Sequence, residues 1–275
     1  MYRTLSPEFD AEMTGFLEEI NLRYSYDFRN YAPASMKRNL VQAMTRLGSI
    51  SLPELLKKVV RDAESFEILI QSLVISVSEM FRDPDYFRSI REKVVPHLKT
   101  YPSLKIWVAG CSTGEEVYSL AIILEEEELL ERTIIYGTDI SPKSLEMAKA
   151  GAFPLGEVQS ATPNYFGSGG RRSLSDYYTC NGGVAQMSSS LATNVTFSDH
   201  SLATDAVFAE THLISCRNVL IYFDRTLQER AIGLFNDSLC RKGFLGLGSQ
   251  ETVRFSSFSN CFKSLGKEGR LFQKI

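Results

Sequence analysis

The sequence predicts an α/β protein: a doubly wound parallel sheet closing on an antiparallel hairpin, preceded by an all-helical domain. Three observations predict it. A short apolar strand, a glycine-bracketed turn and a helix run together in Lys105 to Tyr118, KIWVAGCSTGEEVY; apolar strands alternate with helices from there to Leu247; and the first 70 or so residues show helical spacing only. Strands buried on both faces read as continuous apolar runs, and strand, glycine loop and helix together form the ligand-holding corner of such a sheet.

Composition allows this and excludes other classes. The chain has 275 residues, 44% hydrophobic and 23% charged, with a formal net charge of −3, so one or two domains with a large core are expected. No apolar run approaches the roughly 20 residues of a membrane span, and MYRTLSPEFD lacks the apolar region of a signal peptide, so no membrane insertion and a cytoplasmic location are expected. Five scattered cysteines without a CxxC pair and only three histidines indicate neither a disulfide framework nor a metal site. The slightly acidic balance and the lack of a long basic patch argue against nucleic acid.

In chain order, Ser6-Pro7 opens a first helix whose Phe9, Met13, Phe16, Leu17 and Ile20 share a face. A second runs from about Pro33 to Leu47, with Met36, Leu40, Ala43, Met44 and Leu47 on one side. Arg29, Lys37, Arg38 and Arg46 lie in an interval free of acidic residues, from Asp27 to Glu54. They form either an ordinary solvated face or a docking surface for an acidic protein helix. Ser51 and Pro53 open two further short helices within Leu52 to Ile70. In ISVSEMFRDPDYF, Ile75 to Phe87, Arg82 is flanked by Met80 and Phe81 and precedes the helix start Asp83-Pro84. An arginine fixed in this way can hold a carboxylate through two parallel hydrogen bonds, or can pair with Asp83 or Asp85 at the surface. A linker helix, Tyr86 to Leu98, leads to the first strand.

After the glycine turn, Val117, Leu120, Ala121 and Leu124 fall on one face of a helix, and a second strand, Ile134 to Thr138, ends at Asp139. Ser141 to Ala150 is a helix closed by Gly151. Ala152 to Ala192 is an irregular excursion in which Leu174 to Thr179 and Val184 to Met187 pair across Asn181-Gly182-Gly183. Strands resume at Val195 to Phe197 and His212 to Cys216. Asp224 caps a helix from about Arg225 to Arg241, Gly243 ends it, Phe244 to Leu247 is a strand, and Cys261 to Lys274 is a hairpin turning at Gly266 to Gly269. The expected domains are 1–72, a linker and active-site segment 73–100, and 101–275 with an inserted subdomain at about 152–192.

The corner suggests its own ligand. A carboxylate at the tip of the second strand grips ribose hydroxyls in such folds; Asp139 either does this or caps the next helix, although Ser141-Pro142 already supplies that cap. GCSTGEE is neither GxGxxG nor a phosphate loop, and two carboxylates stand where phosphates would sit. Gly110 lets a ligand approach the backbone closely. A nucleoside bearing an amino acid, S-adenosylmethionine, fits, with Glu115 or Glu116 toward its positive end unless both merely stabilise the first helical turn.

SEMFRDPDYF, WVAGCSTGEEVYS, GTDIS and SCRNVLIYFD, in this order and spacing, closely resemble the chemotaxis-receptor glutamate methyltransferases, the CheR family, over essentially the whole chain. The resemblance implies a Rossmann-like methyltransferase sheet and transfer of the S-adenosylmethionine methyl group to glutamates on the cytoplasmic helical region of chemoreceptors, with S-adenosylhomocysteine as product. By motif, Ser76, Ser78 and Arg82 border the reaction site and Glu115 and Asp139 bind cofactor. Ser201, Leu202, Arg217 and Asn218 line its ends, and Tyr222 lies near the transferred methyl. Ser76 and Ser78 replace the family's common Asn and Thr, and Ser201 its usual Asn. The short turn at Cys180 to Gly183 resembles members that bind no receptor C-terminal peptide tether, so no tight tether binding is expected. A monomer is expected. The alternative function is a sensor or adaptor that binds S-adenosylmethionine or S-adenosylhomocysteine without methylating receptors.

Overall fold

The computed structural model describes residues 7–74, 78–266 and 270–275. The chain separates into two compact units. The first comprises the described part of Met1–Ser76 with Leu202–Asp205 and Ile221–Ala231; the second comprises that of Val77–Ser201, Ala206–Leu220 and Ile232–Ile275.

The first unit begins with α1 (Pro7–Tyr24), α2 (Pro33–Arg46), α3 (Leu52–Arg61) and α4 (Ala63–Leu73). The apolar faces expected from spacing are the buried ones: Phe9, Met13, Phe16, Leu17 and Ile20 on α1, and Met36, Leu40, Ala43 and Met44 on α2. Each such side chain taken fully out of water contributes roughly 1.5–3 kcal/mol. The starts of α3 and α4 are fixed by side-chain caps. Ser51 accepts from the Glu54 amide and Asp62 from the Ser65 amide, so one residue suffices to separate two helices. Chain from the far end of the sequence joins this unit. The Ala32 amide donates to the Tyr222 carbonyl (2.8 Å), the Asp224 amide to the Asn30 carbonyl (2.8 Å), and Tyr31 bridges to Phe223.

The second unit opens with α5 (Pro84–Ser89), which passes through a π turn, Ile90–Val94, into α6 (Val95–Leu98). Then follow β1 (Leu104–Ala109), α7 (Glu115–Glu126), β2 (Thr133–Asp139), α8 (Pro142–Ala150), β3 (Ala152–Pro154), α9 (Leu155–Ser160), α10 (Thr162–Gly167), β4 (Tyr178–Asn181), β5 (Val184–Met187) and α11 (Ser189–Ala192). The rest is β6 (Val195–Asp199), β7 (Thr211–Cys216), α12 (Arg225–Ser238, shared between the units), β8 (Leu239–Leu247), β9 (Phe262–Ser264) and β10 (Leu271–Lys274).

Among the described residues the main sheet has the order β6-β2-β1-β7-β8-β10-β9. Its first five strands are parallel, and β10 and β9 are antiparallel. The order reverses at β1 and β7, and the crevice outside their carboxyl ends is where open α/β sheets place ligands. β1 is buried on both faces, as its apolar run requires. Ile106 and Val108 pack into the main core with Leu120, Ile123, Ile135 and Leu213. Trp107 faces the other way, edge-on to His200, Phe208 and Phe235, with its indole N–H donating to Thr138 Oγ1 (2.8 Å).

The inserted segment carries a three-stranded antiparallel sheet among the described residues, β3-β5-β4, turning between β4 and β5 at Gly182 and Gly183 with φ +57° and +82°. Glu126, at the end of α7, anchors it by accepting from the hydroxyls of Tyr165 (2.5 Å) and Tyr177 (3.0 Å) while pairing with Arg91 of the π turn. Burial raises the Glu126 carboxyl, but the Tyr165 hydroxyl, the Arg171 amide and Arg91 outweigh it and hold the group below its ordinary value.

Three expectations are corrected. Leu174–Tyr177 is a 3₁₀ turn, because its leucine and tyrosine are both drawn into the core, so the hairpin strand starts only at Tyr178. α12 stops at Ser238 rather than near Arg241. Its last carbonyls are taken by Thr211 Oγ1 on Ser238 (3.0 Å) and Lys274 Nζ on Asn236 and Leu239 (2.6 and 2.7 Å). β8 therefore begins at Leu239, and Lys242 (φ +63°) with Gly243 is a kink inside it, not the end of a helix. The hairpin turn expected at Gly266 to Gly269 lies largely outside the described residues.

Candidate active site

The glycine corner is built from the end of β1. Gly110 turns with φ +71°, and both its amide and that of Cys111 donate to the Thr138 carbonyl at 2.8 Å, prolonging the pairing with β2 into the loop. A Cβ at Gly110 would stand 2.4 Å from Val219 Cγ2, and one at Gly114 (φ +100°) 3.0 Å from Ala148 Cβ, so neither position accepts a side chain. Asp139 fastens the same loop. Its Oδ2 accepts from the Ser112 amide and its Oδ1 from the Ser141 amide, both at 2.9 Å. Burial raises the Asp139 carboxyl above its ordinary value, and the Ser141 and Ser112 amides pull against that. Ser141 Oγ caps α8 by accepting from the Ser144 amide at 3.2 Å, leaving Asp139 the corner rather than the cap.

The two glutamates that follow have separate fates. Glu115 is buried, accepts from Thr113 Oγ1 at 2.6 and 2.8 Å and from the side chain of Ser78, and is raised by burial. Glu116 accepts from Ser215 Oγ and from Arg217 Nη1 (2.9 Å).

Arg217 joins this corner to the segment carrying Arg82. Its side chain is 1% exposed, and its Nη2 donates to the Arg82 carbonyl and to Asp83 Oδ2, both at 2.7 Å. The guanidinium stacks over Tyr86 at 4.3 Å and lies near Phe87. The Tyr86 hydroxyl reaches Ser215 Oγ at 2.5 Å, and burial pushes the phenol upward, keeping it neutral. Arg82 itself sits between two residues in left-handed backbone, Phe81 (φ +55°) and Asp83 (φ +59°). Phe81 is held there by full burial, by edge contacts to Phe87 and Tyr165, and by its amide donating to Ser119 Oγ (2.9 Å). Asp83, expected to cap α5, makes no side-chain cap; its carboxylate turns to Arg217 instead. Left-handed backbone at a bulky residue costs about 1–3 kcal/mol and persists where surrounding structure over-determines it, commonly at functional sites.

The loop after β7 has its own clamp, which sequence reading missed. Glu251 accepts from the amides of Asn218 (3.0 Å), Val219 (2.9 Å) and Gly248 (2.6 Å), holding Asn218 at φ +60°. The available signal was an acidic residue three places after the glycine that ends a buried strand.

The structure thus brings together Ser78, Arg82, Gly110, Glu115, Asp139, Arg217 and Asn218 in the second unit, with Ser201 also belonging to it. Ser76 lies outside the described residues. Leu202 and Tyr222 belong to the first unit. There Leu202 is buried and its carbonyl accepts from Arg230 Nη1 (2.6 Å), while Tyr222 stands in a 3₁₀ turn. Of the basic residues expected to form a docking face, Arg29 grips Asp27 through two bonds (2.9 and 2.8 Å), Lys37 pairs with Asp10 (2.5 Å) and Arg46 donates to Ser72 (3.0 Å). Arg38 has no ion pair among the described residues. No group of His, Cys, Asp or Glu among the described residues is placed to hold a metal ion, and none of the described helices is long and apolar enough to cross a membrane.

Compared with known proteins, residues 76–268 match the model of the CheR methyltransferase SAM-binding domain, and residues 11–74 that of the CheR methyltransferase all-alpha domain. The chain belongs to the CheR methyltransferase family. A Putative methyltransferase Cher3 of Pseudomonas putida is 55% identical over 265 residues, 96% of this chain and 97% of that protein. The Chemotaxis protein methyltransferase of Listeria innocua is 30% identical, covering 90% and 92%, and that of Salmonella typhimurium 28%, covering 76% and 70%. The CheR cofactor is S-adenosylmethionine, and the corner fits it. Asp139 and Glu115 offer carboxylate oxygens in a tight loop, kept free of a side chain at Gly110 by Val219, that has no phosphate-binding features.

Proposed function

We propose that this CheR protein methylates glutamate side chains on the cytoplasmic helical region of chemoreceptors, forming glutamyl methyl esters. The observation that carries the reading is Arg82, placed between two left-handed residues and tied through its own carbonyl to Arg217, whose other arm holds Glu116 of the cofactor corner. A guanidinium fixed beside a methyl-donor site suits a carboxylate acceptor, which it can orient through two parallel hydrogen bonds.

S-adenosylmethionine, when bound, would supply an electrophilic methyl carbon to a carboxylate oxygen, with S-adenosylhomocysteine as the departing product. The chain's own residues have a narrower task. A glutamate with an ordinary pKa of about 4.3 is already ionised near neutrality, so no general base is required. Arg82 aligns the carboxylate, and Asp139 and Glu115 seat the donor. Holding two reactants in line and excluding water can supply roughly 7–11 kcal/mol of the barrier. Arg82 must not hold the carboxylate as strongly before transfer as during it, since uniform binding gains no rate. The resemblance assigns Ser201, Leu202 and Asn218 to the ends of the cofactor and Tyr222 to the neighbourhood of the methyl. Recognition of the receptor helix is assigned to the cations of the first unit; Arg29 and Lys37 are in ion pairs, and Arg38 and Arg46 keep none among the described residues. The two-residue turn at Gly182 and Gly183 supports receptor methylation without a tight C-terminal tether.

The test is tritiated-methyl transfer to membranes carrying the host's chemoreceptors, alongside calorimetry with S-adenosylhomocysteine. Base-labile label on receptor bands is expected. Cofactor binding with no label on any receptor overturns the assignment in favour of a sensor or adaptor.

A further inference from the structure

Next to Arg82, on the β8 and β10 side of Asp83, lies a cavity of about 450 Å³ that the proposed reaction does not use. Its wall includes two acidic residues, Asp83 and Asp85, and four basic ones, Arg88, Lys93, Arg217 and Arg270. Both acids are already engaged. Asp83 takes Arg217 Nη2 at 2.7 Å, and Asp85 pairs with Arg88 at 3.3 Å. Lys93 and Arg270 remain half-exposed, without an ion pair among the described residues. Arg217 also lines the cavity, its Nε buried out of reach of solvent and without a hydrogen-bond partner among the described residues. Two cations at the walls, without an ion pair among the described residues, make a site for an anion.

We propose that this cavity is a second carboxylate site, receiving an acidic side chain of the polypeptide substrate close to the acceptor glutamate; the proposal rests on the receptor reading above. Asp83 follows Arg82 in the chain, so a peptide whose acceptor carboxylate meets Arg82 brings its neighbouring residues to this opening. Two flexible, half-exposed cations bind a free anion weakly. They contribute measurably once the acceptor has anchored the peptide, because the second contact is then intramolecular. The cavity therefore acts as a specificity site that favours acceptors lying in acidic surroundings.

The test uses Lys93→Ala, Arg270→Ala and the double variant, with S-adenosylhomocysteine affinity and melting temperature confirming an intact cofactor corner. The probes are two helical peptides carrying one acceptor glutamate, flanked one turn away by glutamates in one and by glutamines in the other. Wild type is expected to prefer the acidic-flanked peptide by about tenfold in kcat/KM, and the double variant to lose that preference to within about twofold. Absence of preference in wild type, or preference kept in the double variant, overturns the proposal. Should wild type methylate neither peptide, the receptor reading fails on its own. Anisotropy with the S-adenosylhomocysteine-loaded protein then decides the cavity: charge-selective peptide binding lost in the double variant upholds it, and equal binding overturns it. Inorganic phosphate that binds wild type but not the double variant, with no difference between peptides, would mark a free-anion site and overturn it too.

Discussion

Glu251→Gln tests how the loop after β7 is held. In the native protein Oε2 accepts from the Asn218 and Gly248 amides at 3.0 and 2.6 Å, and Oε1 accepts from Val219 at 2.9 Å. A glutamine keeps one acceptor oxygen and turns an NH₂ group toward a backbone N–H. If the amide oxygen keeps Asn218 and Gly248, Val219 is left facing a donor, and all three bonds lose their charge. A hydrogen bond to a charged group is worth about 1.5–3 kcal/mol and an unmet buried amide costs about 1–3 kcal/mol, so a loss of roughly 3 kcal/mol is expected. At roughly 2–4 °C per kcal/mol for a protein of this size, calorimetry should show the melting temperature falling by about 6–12 °C. S-adenosylhomocysteine affinity should fall at least about tenfold, because the clamp sets the Asn218 backbone at φ +60°. Gly248→Ala reaches the clamp from outside, with a Cβ 2.7 Å from Glu251 Oε2 and 2.9 Å from the Asn218 amide nitrogen, and should reproduce both effects. A Glu251→Gln protein that melts within about 2 °C of wild type and binds S-adenosylhomocysteine normally would refute the reasoning, since 3 kcal/mol has no other place to go.

Gly110→Ala places a Cβ 2.4 Å from Val219 Cγ2 at φ +71°, and should abolish S-adenosylhomocysteine binding by calorimetry. Arg82→Ala should abolish methyl transfer while leaving S-adenosylhomocysteine affinity within a few-fold; loss of cofactor binding instead would reassign Arg82 to the cofactor pocket. Arg217→Met removes a buried cation and leaves Glu116, 14% exposed, with no countercharge from it, so denaturant titration should show a loss of about 3–5 kcal/mol. Glu126→Gln tests pH linkage. The Glu126 carboxyl is held below its unfolded value, so its contribution is present above about pH 4.3 and lost as pH falls through the lower folded value. The stability gap between wild type and Glu126→Gln should be about 2–3 kcal/mol at pH 7 and narrow below pH 4. A gap independent of pH would mean that packing rather than charge is what the substitution removes.

Much of this was legible because it is local. Strand, glycine turn and helix at the corner, the caps at Ser51, Ser141 and Asp224, and the buried faces of α1 and α2 all depend on residues a few places apart. The network around Arg217 was not. Its partners Asp83 and Glu116 are more than 100 residues away in one direction and Glu251 holds the next two amides from the other, so only the sheet topology brings them together. β3 escaped notice because three residues carry no periodicity, and it pairs with β5 only after α9 and α10 have intervened. The end of α12 was misplaced for a similar reason. Lysine at position 274 and threonine at 211 satisfy its last carbonyls, and neither lies near it in sequence. Nor does spacing reveal that Ile221–Ala231 packs with the helices of the first unit.

The Arg217 network explains how a strained segment can be stable and useful together. Phe81 and Asp83 in left-handed backbone cost about 1–3 kcal/mol each, and a buried guanidinium costs several more to desolvate. Both costs are offset only by the bonds the parts make when they assemble together. Asp83 in its unusual conformation directs a carboxylate to Arg217, and Arg217 in return fixes the Arg82 carbonyl. Glu116 and Ser215 bind the same guanidinium assembly to α7 and β7, the elements that carry the cofactor corner. The backbone of the residue proposed to orient the acceptor is therefore rigid relative to the donor site before any substrate arrives. The proposed chemistry needs no proton transfer and so depends largely on such prior alignment, and on that proposal the strain around Arg82 serves the reaction instead of being a defect of the fold.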